Sequence, residues 1–175
     1  MMKRSLTTGI TLAILLCLLQ ACGGIEEVPG PVIGQPAPNF DYQDMNGSPG
    51  SIQGLKGKVT LLRFWADWCP YCKFEMPRID VFYRRLRNKG FEVVAVNVAQ
   101  PRNVVEAFAA QLNLSYPMIM DPDGKLAQFY GVKGIPTNFL IDRRGIVREI
   151  LVGEIFIEDR VLEDLLRPYF PEEGL

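Results

Sequence analysis

The sequence predicts one α/β domain carried behind an export leader. Three observations point there. Strand-like and helix-like patterns alternate from residue 59 to residue 120, the last two strand patterns are separated only by a tight turn, and a Cys-x-x-Cys pair falls where the first buried strand gives way to a helix. The 175 residues include four cysteines and no histidine and carry a net charge of −1, with no run of like charges, so nothing favours nucleic acid as a partner.

The first 21 residues have a basic start (Lys3, Arg4), an apolar run from Ile10 to Leu19 and no acidic residue, the layout of a secretory signal. The apolar run falls short of the roughly 20 residues that a spanning helix needs, which makes a retained transmembrane anchor the weaker reading. The chain beyond the leader is a usual size for a single domain with a sizeable core. Residues 22–37 are rich in Gly and Pro without apolar periodicity and read as a tether, with order expected from near Asn39 and the domain assigned to residues 38–175.

Within the domain, residues 39–58 hold short apolar pieces split by Asn46-Gly47 and Pro49-Gly50, as an edge hairpin or a lead-in strand would. "VTLLRFWA" (59–66) is β-branched and aromatic enough for a buried strand. The next segment (73–90) places Met76, Ile79, Phe82, Tyr83 and Leu86 at helical spacing and stops at Gly90. "FEVVAVNVA" is a second strand, "NVVEAFAAQLNL" a second helix and "YPMIM" a third strand. After the turn "DPDGK" comes a short helical piece "LAQFYG", then "KGIPTNFLID" and "IVREILVG" as two strands joined antiparallel at "RRG", and "EDRVLEDLLRPYF" as a closing amphipathic helix.

The cysteines narrow the chemistry. Cys17 lies in the leader and Cys22 at its end, leaving Cys69 and Cys72 as the domain's only thiols. A structural zinc site wants four Cys or His ligands, and covalent haem wants a His directly after the second Cys, where Lys73 stands. Absence of His also removes Ser/His and Cys/His hydrolase arrangements, and leaves Ser/Lys and carboxylate chemistries open with nothing else in the sequence to support them. A bridge across so short a loop adds little stability, so the pair reads as reactive, the alternative being an idle pair of core cysteines. Thiol-disulfide exchange needs an accessible low-pKa thiolate and a second sulfur within reach. With Cys69 at a helix start, unpaired N–H groups and the macrodipole favour its thiolate, and Pro70 fits the first turn. Cys69 is therefore the expected nucleophile and Cys72, three residues on, the more buried resolving thiol. No metal and no cofactor is expected beyond this Cys69–Cys72 redox couple.

Two resemblances extend the reading. Leu19-Gln20-Ala21-Cys22 resembles the lipobox of bacterial lipoproteins, which implies lipidation of Cys22 and anchoring at a membrane; ordinary cleavage would instead leave Cys22 a free thiol. "FWADWCPYC", Pro77 and "GIPTNFLID" resemble the thioredoxin-like fold over residues 38–170 or so. More narrowly, "CPYCKFEMP", an insert at about 100–122 and "DPDGKLAQFYGVKGIPTNFLIDRRG" are similar to the TlpA/ResA-like branch of membrane-tethered exported thiol oxidoreductases. The implied architecture is a central mixed β-sheet flanked by helices, with a central α/β insert and an N-terminal β extension. The implied partners are exported client proteins, such as apocytochrome c, and an upstream membrane thiol reductant, on the extracytoplasmic side.

The resemblance also implies a cis Pro136 facing the dithiol, with Ile135 offering backbone groups to a substrate strand; a strand-start proline is the plainer reading. Trp65, Trp68 and Tyr71 are core or rim, and Trp68 and Tyr71, beside the nucleophile, are favoured as a docking rim. Glu75 matches a glutamate that this branch places near the dithiol as a proton relay for Cys72, or is a first-turn carboxylate answering the macrodipole. Arg63 departs from the Asp or Asn that relatives carry. Buried, it needs a partner, for which Glu75 is expected, unless it snorkels to the surface. Pro-Tyr between the cysteines lacks the His of strongly oxidising relatives, so a potential of roughly −180 to −270 mV and a reducing or isomerising role are expected. The rival readings are a peroxiredoxin-type peroxidase, whose Pro-x-x-x-Thr-x-x-Cys spacing is absent before Cys69, and a non-catalytic thioredoxin-fold chaperone or assembly factor.

Overall fold

The computed structural model describes residues 30–154 and 158–170; the leader, Cys22 and the first part of the expected tether lie outside them. The elements are β1 (Asp41–Gln43), β2 (Pro49–Ser51), β3 (Val59–Trp65), α1 (Pro70–Leu86), β4 (Phe91–Val98), α2 (Arg102–Gln111), β5 (Met118–Asp121), α3 (Lys125–Phe129), β6 (Thr137–Ile141), β7 (Val147–Val152) and α4 (Asp159–Leu166). The expected order of strands and helices is the observed one.

Strands β1 and β2 form a separate two-stranded antiparallel hairpin. Its turn is held by the Asp44 carboxylate, which accepts from the N–H groups of Asn46 and Ser48, and Gly47 takes the left-handed conformation there (φ +86). The main sheet has the order β5-β4-β3-β6-β7, with β3, β4 and β5 parallel and β6 and β7 antiparallel to their neighbours. It is mixed because the chain crosses over through helices to run β3, β4 and β5 parallel, then returns after α3 to lay β6 antiparallel against β3, and the tight turn between Ile141 and Val147 adds β7 antiparallel to β6.

Every residue of β3 is buried, as a central strand covered on both faces requires. Successive side chains alternate between the faces. Val59, Leu61 and Trp65 join the core under α1, while Leu62 and Phe64 join a second cluster with Tyr130 and Phe139. Helix α1 supplies Cys72, Met76, Ile79, Phe82, Tyr83 and Leu86 to the first core at the predicted spacing. It begins at Pro70, three residues before the periodic apolar pattern does, because proline needs no N–H partner in the first turn. A short 3-10 turn at Arg87–Lys89 and left-handed Gly90 (φ +92) end it.

The domain's hold on the chain begins earlier than Asn39. Gly34 donates to Val147 O at 2.8 Å, Val147 donates to Gln35 O at 2.9 Å, and Ala37 donates to Gly145 O at 2.9 Å. The last residues assigned to the tether therefore lie along the outer edge of β7. Gly and Pro content marked them as linker, but an exposed strand edge offers backbone partners whatever the side chains are.

Candidate active site

The site is assembled at the C-terminal end of β3. Cys69 is the N-cap residue of α1, in extended conformation, with its Sγ accepting from the N–H of Cys72 at 3.1 Å. Cys69 and Cys72 form a disulfide, with α-carbons 5.3 Å apart. The sulfur of Cys69 thus sits where the unpaired N–H groups of α1 converge, the position that favours a thiolate once the bridge opens.

Both cysteines are more enclosed than an accessible nucleophile was expected to be: in the disulfide state Cys69 is 2% exposed and Cys72 0%. They belong to the main hydrophobic cluster with Trp65 and Met76, against which Ile135 packs. Both sulfurs are thus buried, and exposure barely ranks Cys72 below Cys69. Beside them Trp68 and Tyr71 are 66% and 45% exposed, an aromatic rim on an otherwise closed site, and Phe74, further along α1, is 51% exposed. Trp65, by contrast, is core, its ring tilted on Phe108 at 4.6 Å. Phe74 continues the exposed aromatic surface along α1 from Tyr71, and sequence reading passed over it. Its position three residues after Tyr71 in α1 was the available signal, and Arg78 lies over its ring at 4.8 Å.

The Ile135–Pro136 peptide bond is cis. In the antiparallel register of β3 and β6, Phe64 faces Thr137. One step further brings Pro136 level with Trp65, at the end of the sheet from which the cysteine loop departs. Pro136 is buried, its carbonyl accepting from Gly153 N–H at 2.8 Å. Thr137 Oγ1 donates to Gly134 O at 2.6 Å across the same turn.

Beneath the disulfide lies a buried ion pair. Arg63 Nη2 donates to Glu75 Oε2 at 2.7 Å, and both side chains are 0% exposed. Arg63 Nη1 donates to Asn138 Oδ1 at 2.8 Å. Arg63 therefore does not snorkel: the alternation of β3 turns it under α1, and Glu75, one helical turn beyond Cys72, comes down to meet it. Asn138 was not foreseen, since its place beside Arg63 depends on the β3–β6 register, in which the two are paired. Tyr116 completes the floor, its hydroxyl donating to Met76 O at 3.2 Å. Burial pushes the Tyr116 phenol far above its usual range, with the Arg63 charge opposing.

A second polar cluster braces the cysteine loop. Asp67 N–H and Asn97 Nδ2 both donate to Gln100 Oε1 at 2.8 Å, and Gln100 Nε2 donates to Asp67 Oδ1. Ala99, just before Gln100, holds an uncommon positive φ of 56° for a residue with a β-carbon. No sequence pattern announces this brace. It joins residues 33 positions apart.

Comparison with known proteins agrees with this geometry. The AhpC/TSA family pattern matches residues 33–150. The chain belongs to the AhpC/TSA family. Within it the similarity is to thiol-disulfide oxidoreductases named ResA: 35% identity to that of Geobacillus kaustophilus, over 90% of this chain and 94% of the relative, and 34% to that of Bacillus subtilis, over 95% and 97%. Among solved structures, a Chlorobium tepidum protein assigned as thiol:disulfide interchange protein DsbE superposes with a TM-score of 0.74 at 34% identity, covering 80% of this chain and 99% of its own. StoA from Bacillus subtilis gives 0.63 at 32%, covering 75% and 97%. This AhpC/TSA member has the thioredoxin-like fold and is a thiol-disulfide oxidoreductase of the ResA/DsbE type, with Cys69–Cys72 as its disulfide.

Proposed function

We propose that the protein is exported, anchored to a membrane by lipid on Cys22, and reduces or isomerises disulfides of exported client proteins such as apocytochrome c. The observation that carries the reading is the Cys69–Cys72 disulfide at the N-terminus of α1, beside the cis Pro136 turn and inside an aromatic rim. The leader and the Cys22 motif support export and anchoring.

In the reducing direction the Cys69 thiolate attacks one sulfur of a client disulfide. That bond breaks, the other client sulfur leaves as thiolate, and a mixed disulfide joins Cys69 to the client. Cys72, after losing its proton, attacks Cys69, releasing the client dithiol and closing the Cys69–Cys72 bridge. An upstream membrane thiol reductant returns two electrons, and two protons complete the dithiol. Trp68 and Tyr71 receive the client surface, Ile135 and Pro136 align its chain, and Glu75 lies one turn from the resolving thiol to pass its proton. No metal or further cofactor enters these steps.

The test is equilibration of the mature protein with glutathione buffers, followed by capture of partners on Cys72→Ser in cells. A potential between roughly −180 and −270 mV, with exported thiol proteins trapped on Cys69, is the expected result. A value near −120 mV would make the protein an oxidant. Mass spectrometry of the N-terminal peptide checks the lipid: an unmodified Cys22 thiol removes the anchor.

A further inference from the structure

The floor of the site holds a charge balance that the exchange chemistry does not itself require. Arg63 is a fully buried cation whose hydrogen bonds go to one carboxylate, Glu75, at 2.7 Å, and one neutral amide, Asn138, at 2.8 Å. Its Nε has no partner among the described residues. Cys72 and Glu75 share the inner face of α1 one turn apart, where β-carbons are separated by roughly 5–6 Å. Both are 0% exposed. Salt screens buried charges much less than exposed ones, so these charges act on the nearby sulfurs more strongly than surface charges would.

We propose that Arg63 is a positioning residue for the redox couple: by cancelling Glu75 it sets the net charge beneath the dithiol to zero, and that balance fixes the equilibrium between the open and closed states of Cys69–Cys72. The proposal rests on the thiol-exchange reading above. The reaction is protein disulfide plus two glutathione giving protein dithiol plus oxidised glutathione; one protein S–S bond breaks, one glutathione S–S bond forms, and two electrons and two protons pass to the protein. The disulfide carries no charge, whereas the dithiol can release one of its two protons to give a thiolate. A net charge in the floor therefore acts on one side of the equilibrium. Positive charge favours the open form and raises the potential, and negative charge does the reverse.

Two near-isosteric changes separate charge from shape. Glu75→Gln keeps an oxygen for Arg63 Nη2 to donate to, and leaves the cation unbalanced. Asn138→Asp keeps an oxygen for Nη1, and adds a second anion. The measurement is the glutathione equilibrium constant of the mature protein at pH 7, read by tryptophan fluorescence. Glu75→Gln is expected to shift the constant toward dithiol by about tenfold, a rise of about 30 mV, and Asn138→Asp to shift it about tenfold the other way. Arg63→Lys, which keeps the charge, stays within threefold of the natural protein. The charge-free double variant Arg63→Met, Glu75→Gln also stays within threefold, and carries the comparison with Glu75→Gln if Asn138→Asp does not fold. A shift under threefold for a folded charge variant, two charge variants moving the constant the same way, or either charge-balanced variant departing by more than threefold overturns the proposal. A merely structural role for Arg63 would lower stability in these variants without opposed shifts in potential. A protein that exchanges no thiols with glutathione would instead remove the reading of function on which the proposal rests.

Discussion

Replacing Arg63 by Met isolates what the buried pair contributes to stability. Arg63 and Glu75 are both 0% exposed and 2.7 Å apart, so the substitution takes the hydrogen-bonded Arg63 cation away from a carboxylate buried in the core. Breaking a buried pair in this way costs about 3–5 kcal/mol, a large share of the roughly 5–15 kcal/mol that holds a domain together. The loss of the donor to Asn138 Oδ1 is part of the same change. At roughly 2–4 °C per kcal/mol for a domain of this size, the melting temperature should fall by about 6–20 °C. Urea unfolding of the oxidised protein, followed by tryptophan fluorescence, measures the loss directly, since Trp65 is fully buried. Adding Glu75→Gln should recover most of it, because a neutral pair of similar volume has no stranded charge. A single-variant loss below about 1 kcal/mol would refute the reasoning, for it would mean that the carboxylate finds water despite its burial.

Three further expectations concern groups away from the sulfurs. Burial, helped by the nearby Glu92 carboxylate, pushes the Tyr83 phenol up to about 12, so the unfolded chain loses this proton first as pH rises. The associated stability is present below about pH 10 and is lost between there and about pH 12; unfolding midpoints of Tyr83→Phe and the natural protein, compared across that window, should show the natural protein falling more steeply. For Asp142, burial pushes its carboxyl up, but N–H bonds from Ile146 and Arg144 and the Arg148 guanidinium outweigh it and hold it below the usual carboxylate range. Its contribution is therefore present above about pH 4 and lost as pH falls through the lowered value; Asp142→Asn should cost about 1–3 kcal/mol at pH 7 and flatten the acid limb of a pH–stability curve. Gln100→Ala removes the acceptor of the Asp67 N–H, and amide exchange at Asp67 should speed up by about tenfold, the equivalent of one hydrogen bond. Unchanged exchange there would mean that the brace does not hold the cysteine loop.

Much of the molecule is legible in the order of its residues. Continuous β-branched and aromatic runs marked β3 and β4, helical spacing marked α1, and a tight turn between two strand-like runs marked β6 and β7, because burial on one or two faces is written directly into residue order. The Cys69–Cys72 spacing, Pro70 after Cys69 and the lack of histidine narrowed the chemistry to thiol exchange, because they act through local geometry and through what the chain lacks. Arg63 announced itself as a charge inside an apolar strand in need of a partner. Only the tertiary structure decided the rest. The partnership of Arg63 with Glu75 and Asn138 depends on how α1 and β6 lie against β3, and the Gln100 brace depends on where β4 ends relative to the cysteine loop. The docking of Gly34–Ala37 on β7 uses backbone groups that side-chain patterns do not reveal. Periodicity reports which residues are buried. Which buried polar group meets which is set by register and packing between segments distant in sequence, and there the order of residues along one segment carries no information about the other.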